Sequence, residues 1–172
     1  MTARLHEERQ LLDAQAAVAR AAGQPDDPYA HQRRWFGRFD RCLDAPAAQA
    51  PAYLTEEAAL AVLHQALHHY HAHGAYALLA YCVMPNHVHL LVALPHGAPP
   101  LARTLQGLKA YTARHLNQLR GCSGQVWHRE SYDHRVRNAA ELGRVEQYIL
   151  QNPVKAGLCA EWQQWAGNYR AD

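Results

Sequence analysis

The chain has 172 residues, of which 49% are apolar and 19% charged, a globular composition that excludes a disordered or fibrous protein. Its formal net charge of +2, from 17 Lys and Arg against 15 Asp and Glu, neither demands nor forbids a nucleic-acid partner, and 13 histidines add cationic charge as pH falls. The four cysteines, Cys42, Cys82, Cys122 and Cys159, are widely spaced with no C-x-x-C pair, which argues against a zinc ribbon or a redox motif.

In chain order, residues Thr2 to Ala22 are rich in Ala, Glu, Gln and Arg with sparse apolar positions, and read as a peripheral helix. Gly23 to Tyr29 (GQPDDPY) reads as a linker, so a helical extension over 1–30 precedes a domain over 31–172. Arg33 to Leu43 (RRWFGRFDRCL) is a blurred first strand. Thr55 followed by Glu56 and Glu57 is a helix start, and Leu60, Leu63, Leu67 and Tyr70 repeat at helical spacing until Gly74. Ala75 to Val83 is apolar enough for a buried strand, Met84-Pro85-Asn86 turns, and His87 to Leu94 alternates as a second strand. Leu101, Leu105, Leu108, Thr112, Leu116 and Leu119 form one helical stripe, and Val126 to Arg137 (VWHRESYDHRVR) reads as a further strand region. Asn138 caps a last helix carrying Leu142, Val145 and Ile149, which Pro153 ends. The order is the split βαβ pattern of an α+β ferredoxin-like sandwich: an antiparallel sheet with helices on one face, plus an extra C-terminal helix.

Chemistry concentrates in two places. In MPNHVHLLV, strand alternation puts His87, His89 and Leu91 on one face and Val88, Leu90 and Val92 on the other. Two imidazoles two residues apart on a strand reach one divalent ion, although the same pattern also occurs as plain exposed polar positions. On the last helix, Tyr148 and Asn152 are four residues apart and therefore neighbours. From spacing alone they read as a core-boundary tyrosine and an Asn ending the helix before proline. His64, His68 and His71 also lie at helical spacing, but without a carboxylate pattern such as H-E-x-x-H.

Taken together, MPNHVHLLV, LKAYTARHLN, VWHRESYDHRVR and VEQYILQNPVKAGL resemble the REP-associated tyrosine transposases of the single-tyrosine HUH superfamily. The resemblance runs from about Ala75 to Leu158. It implies a divalent cation, Mg²⁺ or Mn²⁺, on His87 and His89, completed by Asn152, and a nucleophilic Tyr148 just before Asn-Pro-Val-Lys. It further implies nicking and strand transfer on single-stranded or hairpin DNA through a 5′-phosphotyrosine, by a monomer or a homodimer. The chemistry is consistent: free tyrosine, with a pKa of about 10, is a weak nucleophile until its surroundings activate it, and a bound cation acts as a Lewis acid on the phosphate. Lys109, Arg114, Arg129, Arg135, Arg137 and Lys155 are candidate phosphate contacts, while Tyr111, Trp127 and Tyr132 are candidates either for stacking on bases or for the core.

Two departures from that family stand out: the first strand is poor, and the tail EWQQWAGNYR follows the Trp-containing tail of relatives only loosely. A hairpin-binding module with weak or lost cleavage is the alternative, and a metallohydrolase built on the helix histidines is a third. No apolar run reaches the roughly 18 residues of a membrane span, and the N-terminus lacks the apolar core of a secretory signal. A soluble cytoplasmic protein is expected.

Overall fold

A computed structural model describes residues 10–11, 13–18, 21–23, 53–129 and 131–172. The chain divides into two compact units, Met1–Gln49 and Ala50–Asp172. In the first, residues 13–18 are helical and the Ala22 N–H donates to the Val18 carbonyl at 3.0 Å, as the Ala- and Gln-rich composition predicts. The expected strand at Arg33 to Leu43 lies outside the described residues.

In the second unit a 3₁₀ turn (Tyr53–Thr55) leads into α1 (Glu57–Ala72). Glu56 and not Thr55 holds the N-cap position, without a side-chain capping bond, and Thr55 belongs to the turn. Ala59, Leu60, Leu63, Ala66 and Leu67 are buried along one stripe, each fully buried Leu contributing about 1.5–3 kcal/mol. Gly74, at φ +72°, ends the helix where a Cβ would be strained. There follow β1 (Ala77–Val83), β2 (Val88–Ala93), α2 (Leu101–Leu119), α3 (Ala139–Leu150), the single-turn α4 (Asn152–Lys155), a second 3₁₀ turn (Trp162–Gln164) and β3 (Asn168–Arg170).

The described sheet is antiparallel, in the order β2-β1-β3. A tight hairpin joins β1 to β2, with the Met84 N–H donating to the His87 carbonyl at 2.8 Å and Cys82 opposite His89. Alternation sets Tyr81 and Val83 toward one core and Ala80, Cys82 and Met84 toward another, and a register shift between Leu78 and Ala80 brings Leu78 into the first. The first core is closed by α1 and residues of α2, including Leu116. The second is closed by Ile149, Val145 and Tyr148 of α3, with Trp165. The two helices of the split pattern thus share a face, and the added helix takes the other.

The strand expected over Val126 to Arg137 does not form among its described residues. Its apolar positions are too sparse to cover a sheet face, and its groups are spent elsewhere. Trp127 Nε1 donates to Thr112 Oγ1 at 2.8 Å, and Lys109 Nζ donates to the His128 carbonyl at 3.0 Å and to Ser131 Oγ at 2.7 Å, strapping the segment onto α2. The edge position beside β1 is taken instead by β3, from the loosely matching tail. Gly167 makes this approach possible, because a Cβ there would stand 2.5 Å from the Val83 carbonyl oxygen. Pro153 also differs from expectation: it opens α4 at a first-turn position, where its missing N–H costs nothing, and does not close the helical path.

Candidate active site

β2 and the turn before it aim His87 and His89 at the α3 side of the sheet, and both are buried. Their Nε2 atoms approach to 3.0 Å. His87 is oriented by its neighbour, its Nδ1–H donating to Asn86 Oδ1 at 2.7 Å, which leaves Nε2 as the atom with a lone pair. Burial lowers the pKa of His87 to about 4. It lowers that of His89 further, with the nearby His87 and Lys155 charges adding to the effect. Both rings are therefore neutral at physiological pH, the state a metal ligand needs.

α3 brings the opposing wall. Asn138 caps it, Oδ1 accepting from the Glu141 N–H at 2.9 Å. The buried Glu141 carboxylate accepts from the Arg137 N–H at 2.9 Å and meets His134 Nε2 at 3.1 Å, fixing the segment that enters the helix. Ten residues beyond the cap, Tyr148 stands edge-on to His89, with ring centroids 6.1 Å apart. The helical path then runs on through the junction: the Gln151 N–H donates to Gln147, Lys155 to Gln151 and Ala156 to Asn152. Tyr148, Asn152 and Lys155 thus fall at i, i+4 and i+7, on one stripe. Asn152 is 1% exposed; its Nδ2 donates to the Tyr148 carbonyl at 3.1 Å, and its Oδ1 is buried with no hydrogen-bond partner. The Lys155 ammonium lies 4.1 Å above the centre of the Tyr148 ring.

The spacing of the two imidazoles fits a divalent cation, and the donor chemistry of Asn152 is compatible with one. Two bonds of about 2.1 Å meeting at about 90° span roughly 3.0 Å, which is the separation of the two Nε2 atoms. A buried amide oxygen with no donor is a cost of about 1–3 kcal/mol that a ligand would relieve, and Asn152 Oδ1 is such an atom. Two imidazoles and an amide make an open, mixed set unlike a closed structural zinc site. Among the described residues no group of three or more His, Cys, Asp or Glu is gathered for a metal, which leaves the α1 histidines without a ligand set. His68 Nε2 instead meets the Tyr81 hydroxyl at 3.4 Å, and the His64 ring packs on Tyr81.

Of the candidate phosphate contacts, Arg114, Arg129, Arg135, Arg137 and Lys155 have exposed side chains. Lys109 is half-buried and occupied in the strap. Trp127 packs against the first core, and burial raises the Tyr132 pKa to about 12. Tyr111 is exposed and pairs with His115, ring centroids 4.1 Å apart. Sequence reasoning missed the role of Asn86, although an Asn directly before the first histidine is a signal for it, and the approach of Lys155 to Tyr148, which the spacing of seven encodes.

Among the described residues a paired-imidazole strand and a tyrosine-bearing helix meet on one side of the antiparallel sheet, and the sequence comparison places the chain among transposases. Residues 51–152 match the family described as "Transposase IS200 like", and the chain belongs to that family. Within it the chain is similar to a Haemophilus influenzae protein assigned as a REP-associated tyrosine transposase, with 28% identity over 102 residues, 54% of this chain and 58% of that protein. The match thus spans little more than half of the relative's length. A solved structure of a REP-associated tyrosine transposase bound to a REP hairpin shares the fold, with a TM-score of 0.58 and 21% identity over 71% of this chain and 70% of that one. Among the described residues, no helix is long and apolar enough to cross a membrane.

Proposed function

We propose that this protein nicks and rejoins single-stranded DNA beside a hairpin, with Tyr148 as nucleophile and with His87, His89 and Asn152 holding Mg²⁺ or Mn²⁺. The observation that carries the reading is the meeting, within one chain, of the paired Nε2 atoms and the Tyr148 ring. The cation, when bound, supplies Lewis-acid polarisation of the scissile phosphate. The protein's own groups do the rest. Tyr148 Oη gives up its proton and bonds to phosphorus; the P–O3′ bond breaks, and the departing 3′ oxygen takes a proton. The phosphoester stays on the tyrosine, so a second 3′-hydroxyl can reverse the step without a nucleoside triphosphate. Asn86 holds the imidazole tautomer, the sheet and α3 exclude water behind the histidines, and the exposed arginines offer sequence-independent phosphate contacts.

Hairpin oligonucleotides carrying an unpaired flank, incubated with Mg²⁺ or Mn²⁺, test this. A covalent protein–DNA band is expected that chelator abolishes and that Tyr148→Phe loses while still shifting the hairpin. A Tyr148→Phe protein that forms the band refutes the assignment. Hairpin binding with no chelator-sensitive nicking in the wild type would replace it with the binding-module reading.

A further inference from the structure

Lys155 is exposed, and charge alone would class it with the phosphate contacts. Its position says more. Pro153 opens α4, and Gly157, at φ +71°, closes it with the Gly157 N–H donating to Val154 and the Leu158 N–H to Pro153. The turn is stiff at both ends and returns Lys155 two turns along the stripe from Tyr148. There the ammonium sits 4.1 Å over the ring centroid, within cation–π range. It is also close enough to His89 to act on that ring's charge. Tyr148 therefore has two close neighbours, the roughly perpendicular His89 imidazole and the Lys155 ammonium over its ring.

We propose that Lys155 is a positioning residue for the nucleophile: its ammonium pins the Tyr148 ring toward the paired histidines and offsets the negative charge that develops on Oη as the bond to phosphorus forms. The proposal rests on the reading of Tyr148 as nucleophile. It separates Lys155 from a simple phosphate contact, because its effect falls on the chemical step and not on DNA affinity.

The test compares Lys155→Gln and Lys155→Arg with the wild type. Covalent-adduct formation is followed in single turnover at saturating hairpin DNA with Mn²⁺, and hairpin affinity is measured separately in chelator. The expected result is a rate lowered by about three- to thirtyfold in Lys155→Gln, affinity within about twofold, and most of the rate restored in Lys155→Arg, whose guanidinium also lies over aromatic faces. An independent readout needs no activity: the ¹³C ring resonances of Tyr148, assigned by their loss in Tyr148→Phe, should move in metal-free Lys155→Gln and stay near wild type in Lys155→Arg. A lower affinity with an unchanged saturating rate, or unchanged rate and resonances, overturns the proposal. If the wild type forms no adduct, the nucleophile reading fails, and the ring resonances still decide whether the ammonium holds Tyr148.

Discussion

Asn152→Leu sets the needs of the fold against those of the site. Leucine has the same branched side-chain skeleton, with methyl groups in place of the amide oxygen and nitrogen. In the metal-free protein the substitution removes one hydrogen bond, Nδ2 to the Tyr148 carbonyl, at a cost of about 1 kcal/mol. It also removes a buried acceptor with no partner, which returns about 1–3 kcal/mol. The net is between about 0 and 2 kcal/mol in favour of the variant, or a melting temperature higher by a few degrees at roughly 2–4 °C per kcal/mol. In Mn²⁺ the order reverses. A wild-type site at one hundred times its dissociation constant gains about 2.7 kcal/mol, and the variant, lacking the third ligand, gains much less. The assay is thermal unfolding of both proteins in chelator and in a Mn²⁺ series, with adduct formation measured alongside. If Asn152→Leu melts well below wild type in chelator yet keeps the full Mn²⁺ increment, Asn152 is a structural residue and the ligand argument is wrong.

The folded pKa values of His87 and His89 lie below the ordinary 6.5, with His87 at about 4, so between those values the unfolded chain binds more protons than the folded one. Metal-free stability is fully present above pH 6.5 and is lost as pH falls toward 4; urea midpoints in chelator should drop over this window, and a His87→Gln/His89→Gln double variant should flatten the slope. Lys109→Met should destabilise the protein by about 1.5–3 kcal/mol through loss of the charged hydrogen bonds to His128 and Ser131. Arg114→Ala, on the exposed face of the same helix, should stay within about 0.5 kcal/mol and reduce the salt dependence of hairpin binding; equal stabilities for the two variants would contradict the strap.

How much of this was legible in the sequence depends on where the signal was local. The period-two alternation of HVHLLV set both histidines on one face, and the spacing of four set Tyr148 beside Asn152. The long stripes of α1 and α2 were visible because burial on one face forces a 3.6-residue repeat. β3 was not, since a three-residue strand is too short to show a period and pairs with β1 from more than eighty residues away. Val126 to Arg137 misled for the opposite reason. Its Val, Trp and Tyr look like strand residues, but Trp127 and the His128 carbonyl are bound by side chains on α2, which no local pattern records.

The register shift at Leu78 has a lasting consequence. It puts Leu78 on the same side as Tyr81 and Val83, enlarging the interior under α1 and α2, while the smaller interior on the other side lies beside the paired histidines and Tyr148. Substitutions that erase the tyrosine or the imidazoles leave the larger interior untouched. A lineage under selection only to stay folded could therefore shed its reactivity in a few steps, leaving an inert but well-built descendant.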